Sequence, residues 1–497
     1  MSVKYVRPEV KKLLPIYKMI RDVLAGPYAV KAAKEAYLPI PDPTDQSEAA
    51  KKRYLNYVLR AQFFDATSRT HEGYLGQVYY REPQIELPPL LEVLWEDADG
   101  TGLSLMQQSK EAVGEVLSLG RSGLYTDYSV QSDRSATRLE QEAGKVRPTI
   151  TMYQPEKIIN WRWSMFGNQK VLSLVVLEED YDIADDGFEA EKDYQWRVLR
   201  LVMPEGASMP VLECTIWRDG KDGLYPLEPT YPKMGNGRFW DRIPFEFIGS
   251  KNNDPDPDKP PMEGMAHINI GHYRNSAEYE ESVFMIGQPT PWASGITEDW
   301  VKTAWNSELR LGCREFIPLP TGGQMGLLQP EPNTMAKEAM EMKRDQMVAL
   351  GAKLAENATV ASTATQENRE SVIENSVLST CAKNVSSAYS RALAHAATYS
   401  NIPVDGIVFE INTDFEITRM SAQDRQQLLS EWQGGGITWE EYRWNMKRSG
   451  VAFEDDAKAK KQIQAELEAN RIDLDKEDPE VDENGDPIEK KDPPEDE

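Results

Sequence analysis

The chain has 497 residues, 40% hydrophobic and 28% charged, too long for one ordinary core and too apolar for global disorder. Lys+Arg 56 against Asp+Glu 82 leaves a formal net charge of -26. That balance argues against a broad basic face gripping nucleic acid or an anionic membrane.

The amino-terminal MSVKYVRPEVKKLLPIYKMIRD mixes charged residues and Pro among its apolar ones and is no signal peptide. The first 145 residues read mostly as helix. Positions 47–64 carry apolar groups at Tyr54, Tyr57, Val58, Ala61 and Phe64, and positions 103–120 repeat the pattern and close on Gly120. The Pro-broken stretch 81–89 reads as an extended connection.

From 148 to 249 the period changes. TITMY, KVLSLVVLEEDY, YQWRVLRLVM, PVLECTIWRD and RIPFEFIG are rich in β-formers, and ADDG (184–187) and RDGKDG (218–223) punctuate them. Strands joined by short turns predict an antiparallel sheet, with Trp161, Trp163, Trp196, Trp217 and Trp240 filling its core. The longest apolar stretch, near 171–177, is far short of the roughly 20 residues of a membrane span. Three cysteines (Cys214, Cys313, Cys381) make no disulfide scaffold and suggest a reducing compartment. The expectation is a soluble, intracellular, multidomain protein.

The segment NNDPDPDKPP (252–261) cannot be regular structure. A helix is predicted over 262–286. Residues 287–332 break into short pieces with a strand at 313–319 and a turn at 321–323. A second helix is predicted over 333–355, striped by Ala336, Met340, Met347, Leu350 and Leu354. The polar NATVASTAT (357–365) interrupts the helical pattern. Then Ile373, Val377, Cys381, Val385, Ala388, Ala392 and Ala396, spaced three or four apart, define one stripe of a helix about 50 Å long. An extended GIVFEI (406–411) and helices over 422–433 and 439–448 follow. Positions 454–497 hold 18 acidic and 7 basic residues; from 473 onward the composition predicts a disordered tail.

Signatures of chemistry are missing. His71, His267, His272 and His395 are scattered, and His267 and His272 miss the i, i+4 spacing of zinc pairs. Cys381 and His395, 14 residues apart on one helix, lie about 21 Å apart along its axis and cannot form a nucleophile–base pair. EVDENGD (480–486) resembles a calcium loop, but Lys491 stands where the bidentate Glu belongs. No phosphate-binding glycine loop or nucleophile elbow is present. The chain is predicted to be no enzyme, with no metal, catalytic residue or cofactor. The alternatives are a hydrolase or transferase using an unrecognised carboxylate site near Glu178, Glu179, Asp180 and Asp182, or a monomeric acidic adaptor.

The order of parts resembles the portal protein of tailed bacteriophages, the head-to-tail connector at one capsid vertex. GRSGLYTDYS (120–129) is similar to the stretch entering the portal wing, and NIGHYRNSAEYEESVFMIGQPTPWASG (269–295) to the stem helix running into the clip. The resemblance implies an α+β, portal-like fold. Its wing would be 1–261, made of a helical part (1–147), an antiparallel sheet (148–250) and a hinge (251–261). Stem helices 262–286 and 333–356 would flank a clip at 287–332. A tunnel loop (357–365), a long wing helix (366–403), a crown (404–472) and the acidic tail (473–497) would follow.

The resemblance further implies a virion component assembled in the host cytoplasm as a homo-oligomeric ring, of twelve subunits in the family. Its partners would be the terminase large subunit, a head–tail adaptor, and major capsid and scaffolding proteins. Double-stranded DNA would pass through without sequence specificity during packaging and ejection. Asn357, Thr359, Ser362, Thr363 and Thr365 would face the DNA, softly because no cation lies among them. Trp292, Trp300 and Trp305 would anchor partner docking.

Overall fold

A computed structural model describes residues 2–128, 146–185, 188, 190–205, 209–220, 223–287, 290–305, 317–328, 334–351, 364–413, 422–448, 451–452 and 458–466. They divide into two units, Met1–Asp414 and Phe415–Glu497.

The first unit opens with α1 (Pro8–Leu24), α2 (Pro27–Ala32), α3 (Glu48–Arg60), α4 (Ala66–Val78), β1 (Gln84–Glu86), α5 (Val93–Glu96) and α6 (Leu105–Leu119). Ser47 caps α3 by accepting from the Ala50 N–H at 3.1 Å. The helix expected to run to 64 stops at Arg60, where Ala61 turns out of helical geometry. Ser104 and Gln107 form a reciprocal capping box on α6, and Gly120 ends it in the left-handed conformation at φ 77°. A Cβ at 120 would also come within 3.1 Å of the Lys259 carbonyl, so the chain needs glycine there twice over.

Eight strands follow: β2 (Arg121–Tyr128), β3 (Pro148–Tyr153), β4 (Ile158–Phe166), β5 (Gln169–Asp185), β6 (Ala190–Val202), β7 (Val211–Gly220), β8 (Gly223–Pro226) and β9 (Phe245–Gly249). They form two antiparallel sheets, not one: β3-β2-β9 and β4-β5-β6-β7-β8. The central strand of the smaller sheet, β2, lies inside the stretch expected to be helical up to 147. Its residues 121–126 are buried in succession, so it lacks the in/out alternation that marks a half-buried strand.

Trp161, Val175, Leu199 and Cys214 share one face of the larger sheet and pack with Trp240, Phe245 and Phe247. Trp163 was expected in this core but is 40% exposed. It pairs with Leu172 across a register shift that leaves Ser173 of β5 unpaired, beyond the buried run 158–161 of β4.

The chain continues through α7 (Glu263–Ile286), β10 (Thr290–Ser294), α8 (Glu298–Ala304), β11 (Gln324–Leu328), α9 (Met335–Ala349), α10 (Ala364–Ser400) and β12 (Val408–Glu410). The strand expected at 313–319 is not found at 317–319, and 313–316 lie outside the described residues; the strand in this region is β11, which pairs with β10. α9 ends at Ala349, so Ala336 and Met347 of the predicted stripe are buried while Leu350 is exposed. The extended 81–89 and 406–411 segments meet as β1 and β12, antiparallel.

At 37 residues, α10 is about 55 Å long. From Cys381 through Val385, Ala388 and Ala392 to Ala396, every member of its stripe is fully buried; Val377 is exposed.

In the second unit, α11 (Ala422–Gln433) and α12 (Trp439–Arg448) are joined by a glycine turn. Trp432 stacks on Tyr442 with centroids 5.0 Å apart, and Trp439 closes on Trp432 at 5.2 Å.

Candidate docking surface: the α7–α9 hairpin and its clamp

The hairpin is rooted at the start of α7. Asn269 is fully buried, and its Oδ1 accepts from the Thr67 hydroxyl at 2.7 Å while its Nδ2 donates to the Phe64 carbonyl at 2.7 Å. Ser276 Oγ accepts from the Gln62 N–H at 2.8 Å, and Arg274 donates to the Tyr37 carbonyl at 2.7 Å. Lys343 of α9 donates to Asn275 Oδ1 at 3.1 Å. His272 packs on Phe64, centroids 5.5 Å apart; burial, then Lys343 and Arg344, push its pKa down.

The anchoring then thins. The buried residues of α7 end at Ala277. Arg60 pairs with Glu281 and lies over the Phe284 ring at 4.2 Å. Beyond that pair, Val283, Phe284 and Met285 are exposed, as are Leu327, Leu328, Met335 and Met342 on β11 and α9.

Trp292, Trp300 and Trp305 are brought to this end but differ in role. Trp292 sits opposite Gly326 in the β10–β11 register and is 44% exposed. A Cβ at 326 would come within 3.0 Å of its indole nitrogen, so the glycine lets the ring lie flat across the strand. Trp305 Nε1 donates to the Pro318 carbonyl at 3.1 Å, tying α8 to the returning chain. Trp300 Nε1 is buried with no acceptor among the described residues. Of the proposed tunnel residues, Asn357, Thr359, Ser362 and Thr363 lie outside the described residues. Thr365 belongs to the first turn of α10, which begins at Ala364, earlier than the predicted 366; helix ends shift by a residue or two because the last turn is weakly constrained.

α10 is clamped on several sides, by contacts that neither composition nor spacing announces. Asn384 Nδ2 donates to the Gly249 carbonyl at 2.8 Å, and Asn253 Nδ2 donates to the Asn384 carbonyl at 2.8 Å. Asp258 accepts from the Lys251 N–H at 2.8 Å. The segment expected as a hinge is therefore pinned to the long helix through one Asn pair. Tyr389 stacks on Phe409 at 4.8 Å, and its hydroxyl donates to Gln108 at 3.2 Å. Tyr399 lies against Tyr128 and Trp240, and His395 contacts Glu246 at 3.0 Å.

Three of the four carboxylates suspected of chemistry, Glu178, Glu179 and Asp180, are engaged by cations. Lys157 reaches Asp180 at 2.8 Å and Glu178 at 3.4 Å. Glu179 is met by Arg197 at 2.6 Å, by Gln195 at 2.9 Å and by the Tyr153 hydroxyl at 2.5 Å. Burial opposes ionisation of Glu179, but Arg197, Tyr153 and Gln195 together hold its pKa below the usual value. Burial raises the Cys381 thiol to about 12, leaving no thiolate nucleophile near neutral pH. Among the described residues, no three His, Cys, Asp or Glu side chains form a metal site, and no helix is long and apolar enough to cross a membrane.

Residues 261–400, from the start of α7 to the end of α10, match a family described as a domain of unknown function, DUF4055. No curated protein matches the chain. It is similar, at 13% identity and a TM-score of 0.39, to a solved chain of the virion of a native gene transfer agent particle, over 84% of this chain and 98% of that one. A chain from the neck of an empty particle of that kind, computed with C6 symmetry, is similar at 13% identity and TM-score 0.39, over 80% and 91% respectively. Likeness at this level does not carry function across.

Proposed function

We propose that this chain is a portal protein, a ring-forming, non-enzymatic conduit through which double-stranded DNA passes at one vertex of a virion. The observation that carries the proposal is the two-part hairpin. Its root is fixed to the body by buried hydrogen bonds, while its far end displays Phe284, Trp292, Leu327, Leu328 and Met335 to solvent. Exposed apolar groups gathered at one end of a folded chain mark a contact surface.

A ring covers such residues with the different face of a neighbouring copy, a heterologous contact. In this reading α7 and α9 are the stem, residues 287–332 the clip that meets terminase and adaptor, and α10 the wing helix behind the tunnel loop. The net charge of -26 per chain lets DNA slide, since few cations are left over to hold phosphate.

Native mass measurement at moderate salt tests this. The expected species lies near twelve times 56.3 kDa. A chain that stays monomeric at micromolar concentration, with or without scaffolding protein, overturns the proposal.

A further inference from the structure

The second face of the larger sheet, opposite the Trp161 core, holds a groove of about 930 Å³. Two registered rows form its floor. Asn160, Val176, Val198 and Thr215 lie side by side across β4 to β7, and Arg162, Leu174, Arg200 and Glu213 form the next row. The first row places two valines between polar ends; in the second, Leu174 lies between Arg162 and the Arg200–Glu213 pair. Its volume is of the size of ligand sites, which run to about 1,000 Å³ and pair apolar walls with a few convergent polar groups.

The charges in the groove do not cancel. Glu213 pairs with Arg200 at 2.5 Å and accepts from the Tyr231 hydroxyl at 3.1 Å. Arg162, in the same row, has no side-chain partner among the described residues, and neither do the side chains of Asn160 and Thr215, though both are only 8% exposed. Their polar atoms still reach solvent, so both side chains offer a polar end to the groove. An uncompensated guanidinium selects a carboxylate, and it does so here on a strongly acidic chain.

The occupant follows from what already lies on this face. The chain's own residues 2–7 cross it, with the Arg7 N–H donating to the Ile159 carbonyl at 3.0 Å. Val3 and Val6 pack on Ile159, Val176 and Trp196, while Lys4 reaches Asp219 and the Trp196 ring. An amino-terminal strap of polypeptide therefore holds one part of the face through apolar side chains and a backbone hydrogen bond. Ser2, Val3 and Tyr5 form one wall of the groove that remains.

We infer that this groove binds a partner protein's extended segment with alternating apolar and acidic residues, laid beside the amino-terminal strap. Its apolar side chains meet Leu174 and Val198. One carboxylate pairs with Arg162, and polar groups of the segment satisfy Asn160 and Thr215. The inference holds whether or not the chain forms a ring.

The test is fluorescence anisotropy of the full chain with a labelled peptide of sequence Val-Glu-Thr-Glu-Val-Glu-Thr, its Lys-for-Glu counterpart, and succinate as competitor. The acidic peptide is expected to bind saturably and the basic one not at all. Arg162→Gln should weaken binding at least tenfold, Arg162→Lys should restore most of it, and Thr215→Val should weaken it a few-fold. Arg162 is exposed, so the thermal melts of its variants should match the parent. Absence of saturable binding, or equal binding by Arg162→Gln, overturns the inference. Succinate competing as well as unlabelled peptide would identify a small-acid pocket and overturn the peptide assignment.

Discussion

Along α7, two halves of one helix meet opposite surroundings. The first half, through Ala277, buries Met265, Ala266, Asn269, Ile270 and Tyr273 against α1, α3 and α4, with Asn269 and Ser276 hydrogen-bonded and the Tyr273 hydroxyl and His272 Nδ1 without a partner among the described residues. The second half, with β10, β11 and the start of α9, leaves Val283, Phe284, Met285, Leu327, Leu328 and Met335 exposed among the described residues. A single helical pattern thus serves two purposes. Amphipathic spacing says that a face is to be covered, and only the neighbours reveal whether the cover comes from the same chain.

The sharpest way to break this contrast is to truncate one tryptophan in each region. Trp161→Ala removes a fully buried ring that also faces the guanidinium groups of Arg7 and Arg121. It should lower the unfolding free energy by about 3–5 kcal/mol, read from urea titration. An effect below about 1 kcal/mol would mean that the sheet core is elsewhere.

Arg121 sharpens the body's side of the comparison. All three of its guanidinium nitrogens are buried without an acceptor among the described residues, and burial pushes its pKa down to about 10. A buried, unpaired charge is unfavourable. Arg121→Met should therefore stabilise the protein, by up to about 1–4 kcal/mol in the same titration. Marked destabilisation would show that the cation holds the fold through contacts with Trp161 and Phe247 instead.

Asn269→Ala probes the root of the hairpin. It leaves the Thr67 hydroxyl and the Phe64 carbonyl without their partner, an effect of about 1–3 kcal/mol. Limited proteolysis should then cut at the base of α7 as well as at its far end. Unchanged stability would mean that α7 is held by packing alone.

Acid should weaken the body through Glu179. The folded pKa of Glu179 is below its unfolded value, so its contribution is present above the ordinary carboxylate range and is lost as pH falls through the folded pKa. Urea midpoints measured from pH 7 downward should fall, and Glu179→Gln should flatten that dependence. A slope unaffected by the variant would assign acid sensitivity to other groups.

The smallest effect on the folded monomer belongs to Trp292→Ala, within about 0.5–1 kcal/mol because its ring is half exposed. The same variant should reduce assembly in native mass measurement. Loss of monomer stability comparable to Trp161→Ala would make the hairpin tip a core and remove its claim to be a docking surface.

The amino-acid sequence by itself determined the helices α6, α7 and α10, most strands of the larger sheet, the turn at 321–323 and the helical pair α11–α12. In each, period, caps and glycines act within a few residues and agree. β2 was illegible because a strand buried on both sides shows no alternation. Trp163 defied its pattern because the buried run of β4 ends at Trp161 and the strand continues past its cover. The stripe on α10 was plain, but its covers come from positions remote in the chain: Gly249, Gln108, Tyr128 and Phe409.

The pairing of β1 with β12, the Asn253–Asn384 clasp and the unpartnered Arg162 were decided only by tertiary structure. Each joins groups more than a hundred residues apart, or leaves one without a partner, and no local spacing encodes either. Local signals establish which segments form helix or strand and which face seeks burial. Long-range closure then determines which polar groups are satisfied, and the unsatisfied ones at the surface are where partners find a hold.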